Sequence, residues 1–406
     1  MKDGGFSPST WRWQPPGAWR PLLLTALLPC LLLLGGASAQ AAAPSAPVLG
    51  EPSSVSTGSW RVVRAAQGAT SGLTAITCPT RRECLTVGVG GIILASTDGG
   101  VSWHIRRSVV ERGEGPVYPC PSDFEPPPGS KPPYVCRILI DASLDAIDCP
   151  TSRACLAVGE AGNIVASVTG GVSWLVRPSG TYNVLKGIAC PTSRDCLAVG
   201  GNGPDVWVGN GDEVEHTQPA TILVSTNGGA SWTKRSSGTG SYTALYGIAC
   251  PTSRDCLAVG GGAIGGAAIL ASTNGAASWI RRSSGTGSYT ALYGVACPTS
   301  RDCLAVGSQE GAGAILASTN GGATWQKRAS AIQALASITC ATSNECLAGE
   351  SAAASFLVTD DGGATWTSRS TGSDQLVFGF ACPTSSSCLA VTENGAILKS
   401  PDGFTF

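Results

Sequence analysis

The sequence predicts an all-β protein, a seven-bladed β-propeller of four-stranded antiparallel blades. Two features repeat seven times: a pair of cysteines six positions apart and, after each pair, a glycine-rich octet such as STDGGVSW. Between them lie short apolar stretches such as YGIAC, CLAVG and AAILAST, which favour strands and show no 3.6-residue period. A repeat of about 40 to 47 residues that holds four such strands has the size of a propeller blade.

The cysteine pairs mark the inner half of each unit. Strand a ends at the first cysteine and strand b begins at the second, so a hairpin brings their Cβ atoms close enough for a disulfide. The pairs are Cys78/Cys84, Cys149/Cys155, Cys190/Cys196, Cys250/Cys256, Cys297/Cys303, Cys340/Cys346 and Cys382/Cys388. Zinc is the alternative, but structural zinc favours closer cysteine spacings and the chain has only two histidines, His104 and His216. The sequence therefore predicts seven disulfide staples, with no metal and no cofactor.

The octets form the turn between strand c and strand d, and we number them 1 to 7. Octets 1 to 6 end at Trp103, Trp174, Trp232, Trp279, Trp325 and Trp366, and octet 7 is the shortened segment 400–406. The third residue is usually Asp or Asn, which can bond the turn backbone, and a glycine able to take positive φ follows. Thr169 and Ala276 depart from this pattern, so octets 2 and 4 are expected to be less well satisfied. The tryptophans are expected to lie in the core.

The two ends of the chain are expected to meet in the last blade. The sequence stops directly after octet 7, which leaves that blade without strand d. The segment Gly58–Arg64 resembles the segments that follow the other octets. We therefore expect Trp60 to Ala65 to pair with the last blade and close the ring, which removes an exposed sheet edge.

The first residues predict export. Lys2, Arg12 and Arg20 precede an apolar run and a small-residue cleavage site, so residues 1–41 read as a signal peptide, 42–58 as a disordered leader and 59–406 as the propeller. Sixteen cysteines then remain, an even number that suits a secreted or cell-surface protein. An uncleaved membrane anchor is the alternative. The net charge of −1 predicts no nucleic-acid partner, and a monomer is expected.

The loops divide the predicted propeller into two faces. The a-to-b and c-to-d turns are nearly constant and open on one side, the uniform face. The d-to-a and b-to-c loops vary in length and open on the other side, the variable face. Residues 109–141 carry Cys120 and Cys136, predicted to form an eighth disulfide, and residues 201–220 form a second insertion. Binding residues concentrate on variable loops held by a rigid scaffold, so any site is expected on the variable face.

Aromatic and acidic residues of the variable face are the candidate ligand contacts. Aromatic stacking on sugar rings is proposed for Trp207, Tyr182, Tyr242 and Tyr289. Hydrogen bonding to hydroxyl groups, or calcium binding, is proposed for Asp205, Asp212, Glu213 and Glu215. The alternative is that the tyrosines pack between blades and the acidic loop is only solvated.

The octets resemble the Asp-box, or BNR, motif of sialidases and related propellers. Together with the preceding C-L-A-V-G…A-I-L-A-S segment, the pattern over residues 60–406 is similar to the photosystem II stability/assembly factor family. That resemblance implies a propeller fold and a role in assembling a membrane protein complex. A sialidase would also need an arginine triad at the centre, whereas the arginines that follow the octets fall on outer strand d. Asp195, Asp255 and Asp302, inside the stapled turns beside Arg194, Arg254 and Arg301, are expected to cap the turns or form ion pairs.

The functional prediction is a binding or scaffold module for a glycan or a cell-surface protein. An exo-acting, sialidase-like glycoside hydrolase that uses the carboxylates of residues 201–220 is the first alternative, and an assembly factor is the second. A hydrolase predicts carboxylates that converge near the axis, about 5 to 10 Å apart, whereas a binding module predicts an aromatic rim without them.

Overall fold

Seven four-stranded antiparallel sheets form the protein in its computed structural model. The structure describes residues 60–63, 72–106, 117–119, 135–137, 142–201, 206–208, 212–214, 220–239, 243–262, 266–287, 290–331, 333–371 and 375–400. All of them lie in one compact unit that spans residues 46–406. The predicted signal peptide and leader lie outside the described residues.

Each sheet is one blade, with its strands in the order a, b, c, d as predicted. Blades 1 to 3 hold β2–β5 (Leu73–Thr77, Cys84–Gly88, Ile93–Ser96, His104–Arg106), β8–β11 (Leu144–Asp148, Cys155–Gly159, Ile164–Ser167, Leu175–Arg177) and β12, β13, β16, β17 (Leu185–Ala189, Cys196–Gly200, Thr221–Ser225, Thr233–Arg235). Blades 4 to 6 hold β18–β21 (Ala244–Ala249, Cys256–Gly262, Gly266–Ser272, Ile280–Arg282), β22–β25 (Thr290–Ala296, Cys303–Gln309, Ala312–Ser318, Gln326–Ala331) and β26–β29 (Leu335–Cys340, Cys346–Glu350, Ser355–Thr359, Thr367–Ser370). Blade 7 holds β30–β32 (Val377–Thr384, Ser387–Thr392, Ile397–Lys399) and β1 (Arg61–Val63). Two further hairpins pair β6 with β7 (Val117–Pro119, Val135–Arg137) and β14 with β15 (Val206–Val208, Asp212–Val214), and short 3₁₀ turns span Val89–Gly91 and Glu160–Gly162.

The blades close into a ring. Strand a of each blade contacts strand a of the next, in a continuous series that runs from β2 through β30 and back to β2. The seven a strands therefore surround the axis, and the predicted seven-bladed propeller is confirmed. Seven clusters of buried apolar side chains each join two neighbouring blades within the described residues. This explains why both faces of the strands carry small or apolar residues.

The N-terminal strand completes blade 7. Arg61 pairs with Lys399 in an antiparallel register that continues to Val63. Trp60 is only 7% exposed, and its ring lies 5.4 Å from Phe356 and 6.3 Å from Phe380. The predicted pairing is confirmed for residues 61–63, and Trp60 packs against the blade without pairing. Residues 64 and 65 lie outside the described part.

All seven predicted staples are present, with Cα atoms 4.0 to 4.1 Å apart. Zinc is excluded for these pairs because each sulfur is bonded to its partner. The bonded pairs are Cys78–Cys84, Cys149–Cys155, Cys190–Cys196, Cys250–Cys256, Cys297–Cys303, Cys340–Cys346 and Cys382–Cys388. The predicted Cys120–Cys136 disulfide falls outside the described residues, although Cys136 lies on β7, opposite Tyr118.

The stapled turn of blade 7 corrects one prediction. Strand b begins at the second cysteine in blades 1 to 6, as predicted, but in blade 7 it begins at Ser387, one residue before Cys388. Strand a also continues past Cys382 to Thr384, which pairs with Ser387. Ser387 stands where blade 3 has Asp195, whose carboxylate accepts a hydrogen bond from the threonine of the turn. In blade 7 the ladder extends, and the Cys382–Cys388 staple lies within the hairpin instead of at its feet.

The octet turns are held by side chains from within the octet. In octet 1, Asp98 accepts hydrogen bonds from the backbone N–H groups of Val101 and Ser102 at 3.0 and 2.9 Å. Burial tends to raise the pKa of Asp98, but the bonds from Ser102, Ser96 and Val101 outweigh it and hold that pKa well below the ordinary value.

Octets 2 and 4 depart from the pattern in different ways. In octet 2 the hydroxyl group of Thr169 accepts the N–H of Ser173 at 3.0 Å, whereas Asp98 of octet 1 accepts the N–H groups of both Val101 and Ser102. Octet 2 is therefore less well satisfied than octet 1, as predicted. In octet 4 the N–H of Ala276 still bonds to Ser272 at 3.0 Å. The departure there lies in the backbone, since Ala276 has a φ of 63° where other octets have glycine.

Candidate functional site

The a strands share a β-bulge at one position of the motif L-x-(Gly/Ala/Ser)-(Ile/Val)-x-Cys, which blade 7 varies to V-F-G-F-A-C. One extra residue stands between a paired aliphatic residue and a paired small residue in every blade. These extra residues are Thr74, Asp145, Lys186, Tyr246, Tyr293, Ala336 and Phe378. We call this set the axial ring. A bulge re-aims a side chain out of the sheet and is frequent beside functional sites.

The small residue after each bulge lets the a strands approach one another closely. A Cβ atom on Gly247 would lie 2.9 Å from the carbonyl oxygen of Tyr293 on the next blade. A Cβ atom on Gly187 would lie 3.2 Å from the carbonyl oxygen of Tyr246. The backbones are therefore packed too tightly for larger residues, and neighbouring ring positions come into contact.

Blades 1 to 3 supply a polar arc of the axial ring. Nζ of Lys186 lies 3.2 Å from Oδ1 of Asp145 in an ion pair between blades. The hydroxyl group of Thr74 donates to the carbonyl oxygen of Leu144 at 2.5 Å. Burial raises the pKa of Asp145, Lys186 opposes that rise, and the charge of Glu160 adds to it. In the described part of the chain, Oδ2 of Asp145 is buried and has no hydrogen-bond partner.

Blades 4 to 7 supply an aromatic and apolar arc. The rings of Tyr246 and Tyr293 lie 5.3 Å apart with 56° between their planes, a tilted aromatic pair. The phenol oxygen of Tyr293 is 3.5 Å from the hydroxyl oxygen of Ser308. Burial, and then the neighbouring Tyr293, raise the pKa of Tyr246. Phe378 is 36% exposed despite its position on an inner strand.

A buried carboxylate lies directly beneath the polar arc. Asp148, three residues after Asp145 on β8, accepts the backbone N–H of Cys190 at 2.7 Å and so links blade 2 to blade 3. Burial raises the pKa of Asp148 to about 6, against the lowering effect of the N–H donors of Cys190 and Cys149.

The axial ring belongs to the variable face. Its residues lie near the start of each a strand, where the d-to-a loops arrive, whereas the cysteines lie at the other end. Glu160 follows β9 at the variable end of blade 2 and accepts the N–H of Ser143 at 3.2 Å. Loops and ring residues therefore surround one mouth of the propeller.

The predicted ligand contacts are only partly described. Tyr182 is half-buried in the loop before β12. That loop is fixed by buried polar groups, including a 2.7 Å bond from Nδ2 of Asn183 to Thr221. On the hairpin of the second insertion, Trp207 pairs with Glu213 and Asp212 pairs with Val208 through their backbones. The side chains of Trp207, Asp212 and Glu213 lie outside the described part, as do the residues Asp205, Glu215, Tyr242 and Tyr289.

Sequence reasoning missed Tyr246 and Tyr293. It chose the first tyrosine of each S-S-G-T-G-S-Y-T-A-L-Y-G repeat, whereas the second one enters the axial ring. The signal that could have found them is the second position of the a-strand motif, which varies from blade to blade while the rest of the motif is repeated.

The acidic residues of the stapled turns serve as turn caps. The hydroxyl group of Thr192 donates to Asp195 at 2.8 Å, and the same bond recurs at Asp255 and Asp302. Among the residues that the structure describes, these carboxylates form no ion pair with Arg194, Arg254 or Arg301, and all three arginines are exposed. The capping role is therefore confirmed and the ion-pair alternative is not.

Metal-binding clusters and membrane-spanning helices are both missing from the described residues. Over the described ranges, no group of three or more His, Cys, Asp or Glu side chains is placed to hold a metal ion. Within the same ranges, no helix is long and apolar enough to cross a membrane.

Comparison with solved structures relates the chain to propellers of different functions. YCF48 bound to D1 peptide superposes with a TM-score of 0.58 at 15% identity, covering 88% of this chain and 99% of that one. YCF48 from Cyanidioschyzon merolae gives a TM-score of 0.58 at 15% identity, covering 84% and 98% of the two chains. The GH74 xyloglucanase from Xanthomonas campestris gives 0.57 at 14% identity, covering 86% of this chain and 54% of the enzyme. No family model and no curated protein sequence matches the chain. At these identities the likeness shows the fold alone.

Proposed function

We propose that this chain is an exported, disulfide-stapled propeller of the Asp-box type that binds a glycan or another cell-surface ligand at the axial ring. The observation that carries the proposal is the variation at the bulge. Seven near-repeated strands place Thr, Asp, Lys, Tyr, Tyr, Ala and Phe at one equivalent position around the axis. Packing does not require these differences, because the same bulge accepts every one of these side chains.

The chemistry of the ring suits a sugar. Tyr246, Tyr293 and Phe378 offer apolar ring surface for the C–H face of a sugar, and the Lys186–Asp145 pair offers donors and acceptors for hydroxyl groups. Exposure supports this use, since the side chain of Lys186 is 39% exposed. The loop residue Tyr182 and the insertion with Trp207 would extend the contact outward.

A glycoside hydrolase is the second candidate, and one observation favours it. Burial raises the pKa of Asp145, and the charge of Glu160 adds to that rise, so a carboxyl group that tends to keep its proton lies near a second carboxyl group. Such a pair resembles the acid and the nucleophile or base of a glycosidase, with Asp205, Asp212, Glu213 and Glu215 as further carboxylates. The ion pair with Lys186 weighs against Asp145 as a free acid. An assembly role would be supported only by the fold likeness to YCF48.

The test is to incubate the exported chain, residues 42–406, with a panel of cell-wall and host-type glycans and to record retained ligand and released sugar together. We expect the protein to retain a glycan without releasing sugar from it. Retention should be at least tenfold weaker in Tyr246→Ala and in Lys186→Ala. Tyr246→Phe is the matched control because it keeps the ring. Sugar release that disappears in Asp145→Asn would establish the hydrolase instead, and a panel with neither signal would exclude a glycan and leave a protein ligand.

A further inference from the structure

A second surface, on the uniform face, departs from the repeat in blades 1 and 2. Val101 in octet 1 and Val172 in octet 2 stand where the octets of blades 3 to 6 have alanine. Val168 stands at the second position of octet 2, where the octets of blades 1 and 3 to 5 have threonine. These valines are 62%, 61% and 67% exposed. We call them, with Arg82 and Arg153, the blade 1–2 patch.

Other exposed apolar residues lie on the same blades. Eight of the nine large apolar residues that the described chain exposes belong to blades 7, 1 and 2. Six of these eight lie in octets 1 and 2 or on a strand d: Val62, Val101, Ile105, Val168, Val172 and Leu175. Single exposed apolar residues are ordinary on a protein surface, but a group on adjacent blades marks an interaction site.

Backbone contacts hold the parts of the patch together. The N–H of Gly99 in octet 1 donates to the carbonyl oxygen of Arg82 at 2.8 Å, and the N–H of Gly170 in octet 2 donates to that of Arg153 at 2.9 Å. Gly171 of octet 2 packs directly against Leu85, which follows the stapled turn of blade 1. Each arginine is therefore fixed beside an octet, and octet 2 lies against blade 1.

Basic residues outnumber acidic residues at this patch. The stapled turns of blades 3 to 5 each pair one arginine with one aspartate, whereas blade 2 has Arg153 with Ala154, and blade 1 has Arg81 and Arg82 with Glu83. Within the described chain the exposed guanidinium groups of Arg82 and Arg153 have no ion-pair partner. Asp98 of octet 1 adds a second acid beside Glu83, and Nζ of Lys399 adds a fourth cation where it donates to Gly99 at 2.7 Å. Four basic side chains therefore stand against two acidic ones at this patch.

We propose that the blade 1–2 patch docks the protein on an anionic lipid surface. Valines on turns between strands can enter the headgroup region, while flanking guanidinium groups bind lipid phosphates. The combination of exposed aliphatic side chains with an excess of basic side chains at the ends of adjacent blades is complementary to an anionic bilayer. The docked protein would turn its variable face, with the axial ring, away from the membrane.

The test measures co-sedimentation of the full exported chain with vesicles of phosphatidylcholine alone and of phosphatidylcholine mixed with phosphatidylglycerol. The variant Val101→Ala/Val168→Thr/Val172→Ala uses only residues that sibling octets carry, so it keeps the turns folded. Arg82→Asn/Arg153→Ser likewise uses the residues of blades 6 and 7. We expect the unmodified chain to bind the anionic vesicles only. Binding should be at least tenfold weaker in either variant. The binding that remains in the arginine variant should be insensitive to salt.

The matched control is Arg254→Asn/Arg301→Asn, which removes the equivalent charges from blades 4 and 5. It should bind the anionic vesicles like the unmodified chain. Lack of binding by the unmodified chain, or equal losses in the patch and control variants, would overturn the proposal. Self-association in sedimentation that the valine variant abolishes would also overturn it, because the patch would then join two copies. Glycan retention at the axial ring should be unchanged in every variant.

Discussion

Asp148 makes the stability of this propeller depend on pH in a direction that can be worked out from the structure. Its carboxyl group is largely buried beneath the axial ring, and burial raises its pKa from the ordinary value of 3.8 to about 6. The folded protein therefore holds this proton more tightly than the unfolded chain does. Folding becomes more favourable as the pH falls from above 6 toward 4, and the ionised carboxylate costs stability above that range.

The magnitude follows from the same two values. The difference between about 6 and 3.8, at about 1.4 kcal/mol per unit, amounts to about 3 kcal/mol between pH 8 and pH 3.5. Asp148→Asn removes the charge but also weakens the bond from the N–H of Cys190. The weaker hydrogen bond changes the free energy of unfolding by the same amount at every pH, whereas the effect of the charge on that free energy varies with pH. The free energy of unfolding of the variant, minus that of the parent, should therefore rise by about 3 kcal/mol as the pH is raised.

Urea unfolding followed by tryptophan fluorescence, without reductant, would measure both proteins at several pH values. A second variant, Asp148→Thr, is supplied by the chain itself, because blades 1 and 6 carry Thr77 and Thr339 at this position. It should show the same pH-dependent difference as the asparagine variant. Parallel curves for the parent and both variants would refute the reasoning, since Asp148 would then have the same pKa folded and unfolded.

Three further predictions concern closure, turns and staples. Trp60→Ala should lower the free energy of unfolding by about 3 to 5 kcal/mol in urea, because the ring is buried against two phenylalanines; an unchanged midpoint would contradict closure by β1. Gly322→Ala should cost about 1 to 3 kcal/mol in the same assay, since φ is 80° and a Cβ would lie 2.5 Å from Leu257. Replacing Cys190 and Cys196 by alanine should cost about 2 kcal/mol, and a reductant should then cause a smaller loss than in the parent.

The sequence predicted the propeller, the staples and the N-terminal closure because each rests on local chemistry repeated many times. A hairpin with a cysteine at each end determines the a-to-b turn, and the octet determines the c-to-d turn. Both turns depend on neighbouring residues and not on distant parts of the chain. The departures from the repeat are equally local. At Thr169 a hydroxyl oxygen accepts the N–H of Ser173, and in blade 7 the ladder continues past Cys382 until Thr384 pairs with Ser387.

The axial ring could not be found in this way because it depends on contacts between blades. Tyr246 and Tyr293 read as ordinary strand residues beside a small residue, and the bulge that displaces them shows only in the pairing register. The ion pair of Lys186 with Asp145 joins blade 3 to blade 2, so no single repeat contains both residues. Loop composition drew attention to Tyr242 and Tyr289, whose contacts remain a prediction.

A near-verbatim repeat allows an argument that a unique sequence does not. When seven equivalent positions carry six residue types in closely similar strands, the strand backbone alone does not determine the residue. The bulge accepts a threonine, a lysine and a phenylalanine equally, and the octet accepts either valine or alanine at its sixth position. The deviations from the repeat are therefore where ligand and surface chemistry can be encoded at little cost in stability. Exchanging ring residues between blades, for example Tyr293→Lys, should change what the protein retains far more than how stably it folds.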